Sequence, residues 1–203
     1  RELAGKRGWK PRHPQIVFEG NAPASVEKNG LLDALLNDPQ WPALPKAVQA
    51  WIGEPIAIKD PTAAVFRRQT ASNLVMVGQN EEAALGMMAA MAFSFAAQHD
   101  PQGENTRARF YAVDLTPTDR ACAGKLNEAL AQLPHWDRSG GRRELESIVR
   151  EVAAQVKERV EDAESAPKEA IYLFVYGVHR ARDMRQDDQG GYFGHDDEEP
   201  VPS

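Results

Sequence analysis

Three apolar runs constrain this chain more than anything else in it. Asn73-Leu74-Val75-Met76-Val77 halts at Gly78, Arg109-Phe110-Tyr111-Ala112-Val113 halts at Asp114, and Ile171-Tyr172-Leu173-Phe174-Val175-Tyr176 halts at Gly177. A strand with one wet face alternates apolar and polar residues. A strand-length run without alternation reads as buried on both faces, the condition of a parallel sheet covered by helices. Helical patterns fill the intervals. One runs from Glu81 to Gln98, a short one from Leu126 to Leu133 ends before Pro134, and the clearest spans Arg143 to Glu161. In the last, Leu145, Ile148, Val149, Val152, Val156 and Val160 fall three and four apart, which makes one apolar stripe. Alternating strands and helices predict an α/β fold: a mainly parallel sheet with helices on both faces and Asn73–Val77 at its centre. Right-handed crossovers then bring Gly78, Asp114, Tyr176 and Gly177 to one edge of the sheet, where open α/β folds bind ligands.

The flanks read differently. Pro11, Pro14, Pro23, Pro39, Pro42 and Pro45 punctuate residues 1–45, predicting a connector or packing arm that lies across the outside of a domain. Ile16–Phe18 reads as a short strand within it and Leu31–Leu36 as a short helix. Residues 46–185 form the predicted domain, opening with a strand at Ile56–Ile58, and residues 186–203 an acidic loop or tail. With 203 residues, 42% of them hydrophobic, the chain can bury one substantial core. The net charge of −6 argues against a free-standing DNA binder, which needs clustered Lys and Arg. Cys122 stands alone and the five His make no H-x-x-x-H pair, so neither a disulfide framework nor a metal site is expected. Ala83–Ala97 is too short to cross a bilayer. Together these features predict a reduced, cytoplasmic protein without membrane contact. The opening residue, Arg1 rather than Met, suggests a processed product or a piece of a longer polypeptide.

A strand that ends in Gly and opens into a helix is where a phosphate-binding loop sits. The working pattern G-x-x-x-x-G-K-[ST] needs its second Gly for a tight anion nest, its Lys for phosphate charge and its hydroxyl for Mg²⁺. Gly78-Gln79-Asn80-Glu81-Glu82-Ala83-Ala84-Leu85 occupies those positions. The first Gly is present; Ala83, Ala84 and Leu85 replace the second Gly, the Lys and the hydroxyl residue. Glu81 and Glu82 put negative charge in the first helical turn, where the helix dipole stabilises it and a triphosphate is repelled. At the end of the third run, Tyr176 and Gly177 stand where a Mg²⁺-holding acid and a water-activating Glu would be needed. Asp114 reads as a cap at a strand-to-helix turn. No cofactor is expected, with ATP and Mg²⁺ left as the possible exception, and no catalytic residue is assigned. A hydrolase set of Ser72, His135 and Asp137 fails for want of a G-x-S-x-G elbow, and Gly140-Gly141 reads as a plain loop.

The order of these segments resembles the FtsK/SpoIIIE-type DNA translocase ATPases, including the ATPase domains of type VII secretion motors. Ile52-Gly53-Glu54-Pro55 is similar to the family's entry strand, and Asn73–Gly78 to the strand leading into its P-loop. Phe110–Asp114 is similar to the strand ending in Asp-Pro-Lys, although Leu115 and Thr116 replace Pro and Lys here. Leu133-Pro134-His135 and the helix after it are similar to the family's Leu-Pro-His segment and following helix. The likeness covers roughly residues 50–180 and implies a P-loop NTPase-like fold. It further implies an oligomeric motor in which other ATPase domains of the same or a partner chain are neighbours, with DNA reached through the parent assembly.

Three functions compete at this point. The first is a catalytically degenerate domain serving as a structural or regulatory module of a motor that moves DNA or secretes protein. A second is a weak ATP binder using Gln79, Asn80 and backbone N–H groups. The third is a protein-interaction module unrelated to nucleotides.

Overall fold

The computed structural model describes residues 29–41, 46–53, 60–67, 69, 72–103, 106–162 and 169–181. Its elements in chain order are α1 (Gly30–Leu36), β1 (Ala47–Gly53), β2 (Thr62–Arg67), α2 (Glu81–Ala97), β3 (Ala108–Asp114), α3 (Lys125–Ala131), β4 (Trp136–Gly140), α4 (Leu145–Glu161) and β5 (Ala170–Tyr176). A 3-10 turn at Val178–Arg180 follows. The architecture is α/β, with a three-stranded parallel sheet in the order β4-β3-β5 and a separate antiparallel hairpin of β1 and β2.

The centre of the sheet is β3, not Asn73–Val77. Phe110, Tyr111, Ala112 and Val113 are 0% exposed, which is what a strand paired on both edges and covered on both faces should show. Strand periodicity sorts its neighbours into two layers. Even-numbered residues of β3 and β5, among them Phe110, Ala112, Phe174 and Tyr176, pack with Met88, Met91 and Phe95 of α2 and with Leu126 and Leu130 of α3. Odd-numbered Tyr111 and Val113 pack with Leu145 and Ile148 of α4. The α4 stripe is only half used, since Val156 and Val160 are exposed.

Residues 73–77 take no regular strand, and Leu74, Val75 and Val77 are exposed. An apolar run states that a segment can be buried; pairing also needs a neighbour's edge at hydrogen-bonding distance. No backbone hydrogen bond joins this segment to β5 among the described residues. The expected strand at Ile56–Ile58 and the one at Ile16–Phe18 lie outside the described residues. The hairpin strands β1 and β2 and the strand β4 were not legible from the apolar pattern. β4 reads Trp-Asp-Arg-Ser-Gly, and its central polar side chains are partly accommodated by ion pairs rather than by apolar burial. Asp137 pairs with Arg109, and Arg138 bonds Glu151 at 2.8 Å.

The helix α2 is apolar all round because it lies between two layers. The sheet covers one side and the hairpin the other, where Val48 and Ala50 join the core. Its buried polar residues complete the edge of β1. Gln98 Nε2 donates to the Gln49 carbonyl (2.7 Å), Gln98 Oε1 accepts from Gln49 N–H (3.0 Å), and Ser94 Oγ accepts from Trp51 N–H (3.2 Å). One side-chain amide thus stands in for a neighbouring strand, and leaving such groups unmade inside a core costs about 1–3 kcal/mol each. Outside this layer, Leu32 of α1 packs with Trp51 and Ala97. The N-cap of α1 is Asn29, whose side chain accepts from Leu31 and Leu32 N–H, both at 3.1 Å.

Two outcomes follow from this packing. Gln98→Leu keeps the volume but orphans both backbone groups of Gln49, so urea denaturation should show a loss of about 2 kcal/mol or more. The second concerns His135, which is buried against Phe110 and bonds the His99 carbonyl through Nε2 at 2.8 Å. Burial holds its imidazole below the ordinary value of 6.5. The folded state therefore favours the neutral ring. The stability it confers is complete above about pH 6.5 and is lost as pH falls through the lowered value. Thermal melts from pH 7.5 to 5 should decline, and His135→Gln should flatten that part of the slope.

Candidate functional site

The strands deliver their C-terminal ends to one edge, and a single carboxylate ties that edge together. Glu81 lies in the first turn of α2. Its Oε1 accepts from Arg120 Nη2 at 3.1 Å and from Arg180 Nη2 at 3.3 Å, and its Oε2 accepts from Cys122 Sγ at 3.4 Å. Arg120 and Cys122 belong to the β3–α3 loop and Arg180 to the turn after β5, so one side chain joins both segments to the start of α2. The Arg120 hydrogen bond comes first, and the Cys122 bond next, in holding the Glu81 carboxyl below the usual carboxylate range; Arg180 adds to both. Burial, then Glu81, pushes the Cys122 thiol up, so it stays protonated as a donor.

Local chemistry explains how the partners arrive. Asp114 is buried at the end of β3; its Oδ1 accepts from Thr116 N–H at 2.9 Å and its Oδ2 from Gly124 N–H at 3.0 Å. Both carboxylate oxygens are thereby spent on folding the loop that carries Arg120 and Cys122. Gly124, with φ of +77°, opens α3. Tyr176 is buried, and its carbonyl accepts from Leu115 N–H at 3.0 Å; burial is the first cause of its raised phenol pKa. Gly177 has φ of +77°, a left-handed conformation that only Gly adopts without strain. That residue redirects the chain into the 3-10 turn and aims Arg180 back at Glu81. His179 of the same turn is exposed.

The loop-like octet is equally specific about what it does. Gly78, Gln79 and Asn80 are exposed. A Cβ built on Gly78 meets nothing within 4 Å, so this Gly answers no steric demand in the observed conformation. Asn80 caps α2, its Oδ1 accepting from Ala83 N–H at 3.0 Å while its carbonyl accepts from Ala84 N–H at 3.0 Å. Glu82 and Ala83 are exposed, Ala84 is partly buried against the core, and Leu85 is buried in it. The position at which a P-loop hydroxyl would meet Mg²⁺ therefore serves packing.

Ser72, His135 and Asp137 do not form a working set. Ser72 Oγ donates to the Arg67 carbonyl at 2.7 Å, His135 bonds the His99 carbonyl, and Asp137 pairs with Arg109. Among the described residues no group of three or more His, Cys, Asp or Glu is placed to hold a metal ion, and no helix is long and apolar enough to cross a membrane. Beside the site, between residues 72–80 and β5, lies a cavity of about 1,100 Å³.

Sequence reading put Glu81 at the helix start but missed Arg120, Cys122 and Arg180. The available signal was modest: two arginines in the segments that follow sheet-edge residues. Comparison of the chain with protein-family models, with curated proteins and with solved structures finds no match in any of the three.

Replacing the carboxylate should expose what it neutralises. Glu81→Gln removes from Arg120 and Arg180 the counter-charge they share at the α2 N-terminus. A like charge about 4 Å from a phosphate is worth on the order of 1–4 kcal/mol, so inorganic pyrophosphate should bind the variant roughly tenfold or more tightly by calorimetry, with strong salt dependence. Unchanged affinity would show that Glu81 does not govern anion access here.

Proposed function

We propose that this chain is a catalytically degenerate ATPase-fold domain of the FtsK/SpoIIIE type, acting as a structural or regulatory module of a larger motor. One observation carries the reading: the Glu81 carboxylate stands at the start of α2 with Arg120 and Arg180 upon it, at the sheet edge where a nucleotide phosphate would need those charges. A carboxylate in the first helical turn satisfies the dipole that anion binding exploits. Asp114 is engaged by two backbone N–H groups, and Tyr176 and Gly177 supply no acid to polarise water. The parallel sheet flanked by helices is compatible with such a domain, and the sequence likeness at Phe110–Asp114 and Leu133–His135 supports the family assignment, although residues 73–77 do not form the strand that leads into the family's loop.

The reading makes the site a clamp. Glu81 binds the start of α2, the β3–α3 loop and the turn after β5 into one rigid edge without a ligand, as a domain built to hold neighbours in register requires. In a motor of this kind the neighbours are other ATPase domains of the same or a partner chain, and DNA is reached through them. A protein-interaction role in its own right gains support from the exposed apolar residues Val75, Val77 and Leu173.

The purified protein should release no phosphate from ATP above a heat-treated control with Mg²⁺ present, with or without DNA. Ala84→Lys alone should not produce micromolar ATP affinity, because Glu81 and Glu82 remain beside the triphosphate and the new ammonium has a carboxylate to pair with. Turnover that follows this chain through purification and disappears on changing residues around Gly78 would overturn the proposal.

A further inference from the structure

The cavity beside β5 has about the volume of one strand and a wall of backbone hydrogen-bonding groups. Ala170 N–H donates to the Arg107 carbonyl and the Tyr176 carbonyl accepts from Leu115 N–H, both at 3.0 Å, so the even-numbered residues of β5 turn their backbone groups to β3. The ladder alternates, which turns the N–H and C=O groups of Ile171, Leu173 and Val175 away from β3, to an edge where no backbone hydrogen bond joins them to another described residue. Residues 72–78 line the cavity beside that edge. The two ends of this segment are held. Ser72 Oγ bonds the Arg67 carbonyl, and beyond Gly78 the chain enters α2, where Glu81 is fixed by Arg180. Met76 packs against the α2 core between them.

A seven-residue strand is about 23 Å long, needs about 4.8 Å of lateral room and fills a layer about 10 Å deep, on the order of 1,000 Å³. The cavity holds about 1,100 Å³, and β5 has 7 residues. Its floor is Met87, Met88, Met91 and Phe95 of α2; thioether side chains adapt to varied apolar partners. At the end where β5 begins, Lys46 and Arg67 line the cavity without an ion-pair partner among the described residues, and Arg159 bonds the Glu169 carbonyl there.

We infer that this slot receives one extended strand from a partner polypeptide, added parallel to β5, with an acidic residue leading into an apolar, β-branched run. Backbone groups of Ile171, Leu173 and Val175 supply the pairing, the methionine floor accepts alternate side chains, and Lys46 and Arg67 meet the leading acid. This is strand addition at a free sheet edge. It goes beyond the non-catalytic reading of the Glu81 site and does not rest on it: a strand can bind here whether or not ATP does.

The test uses the full chain and a fluorescein-labelled peptide, Asp-Asp-Val-Ile-Val-Leu-Val. Binding should be saturable with one peptide per chain. It should weaken at least tenfold when the central Val is replaced by Pro, which removes a backbone donor from the pairing, and at least threefold when Lys-Lys replaces Asp-Asp. Met87→Trp, which fills the floor from a partly exposed position, should also weaken it at least tenfold with an unchanged circular dichroism spectrum. Hydrogen exchange should slow at the amides of Ile171, Leu173 and Val175 on peptide addition. Absence of binding or of that protection overturns the inference. So does slow exchange of those amides together with residues 73–77 in the free protein, since the chain would then close the slot itself. Protection that rises with protein concentration in the absence of peptide also overturns it, and would assign the slot to a second copy.

Discussion

The structure depends on one strand having no free surface. Every backbone group of a central strand must be paired and both of its faces covered, because unpaired polar groups and exposed apolar side chains each cost about 1–3 kcal/mol in a fold whose net stability is only several. β3 meets that demand with β4 and β5 on its edges, α2 and α3 on one face and α4 on the other. The position of α2 then places the hairpin, since an all-apolar helix needs a second cover. Ser94 and Gln98, the polar residues buried in and beside that helix, are what attach the hairpin to it through backbone groups of β1.

A second constraint acts at the strand ends. Loops at the C-terminal edge of a parallel sheet are the usual place for ligands because they converge on helix N-termini. In this chain the convergence is closed by a side chain. Glu81 meets two guanidinium groups and a thiol, and Asp114 is consumed by the loop that presents two of those three. The carboxylate offsets part of the positive charge of the two guanidinium groups and ties the segments that carry them to the start of α2. The same arrangement explains why Asp114, the carboxylate that ends β3, is best understood as a loop organiser: both of its oxygens are occupied.

The asymmetry between the two edges of the sheet connects these features to interaction. β4 is polar and laced with ion pairs to α4 and β3, a composition that discourages pairing with another chain. β5 is apolar, with Leu173 exposed at its open edge and an apolar floor beside it. An edge without a backbone partner among the described residues is one that sheets usually cover.

How much of this was legible in the sequence divides along physical lines. The apolar runs at Phe110–Val113 and Ile171–Tyr176 and the stripe of Leu145–Val160 determined the elements β3, β5 and α4, because burial and helical period are local properties of composition and spacing. That Ala83, Ala84 and Leu85 offer no Gly, Lys or hydroxyl for a phosphate, and that Glu81 and Glu82 are acids, was likewise plain from residue identity. Tertiary structure alone decided the rest. Residues 73–77 have the composition of a central strand, yet pairing depends on which edge lies within hydrogen-bond reach, and that is a property of the whole chain. Gln98 completing β1, and Arg120 and Arg180 meeting on Glu81, bring together residues distant in sequence. Neither period nor propensity carries information about such contacts, since they arise only once packing has brought the segments side by side.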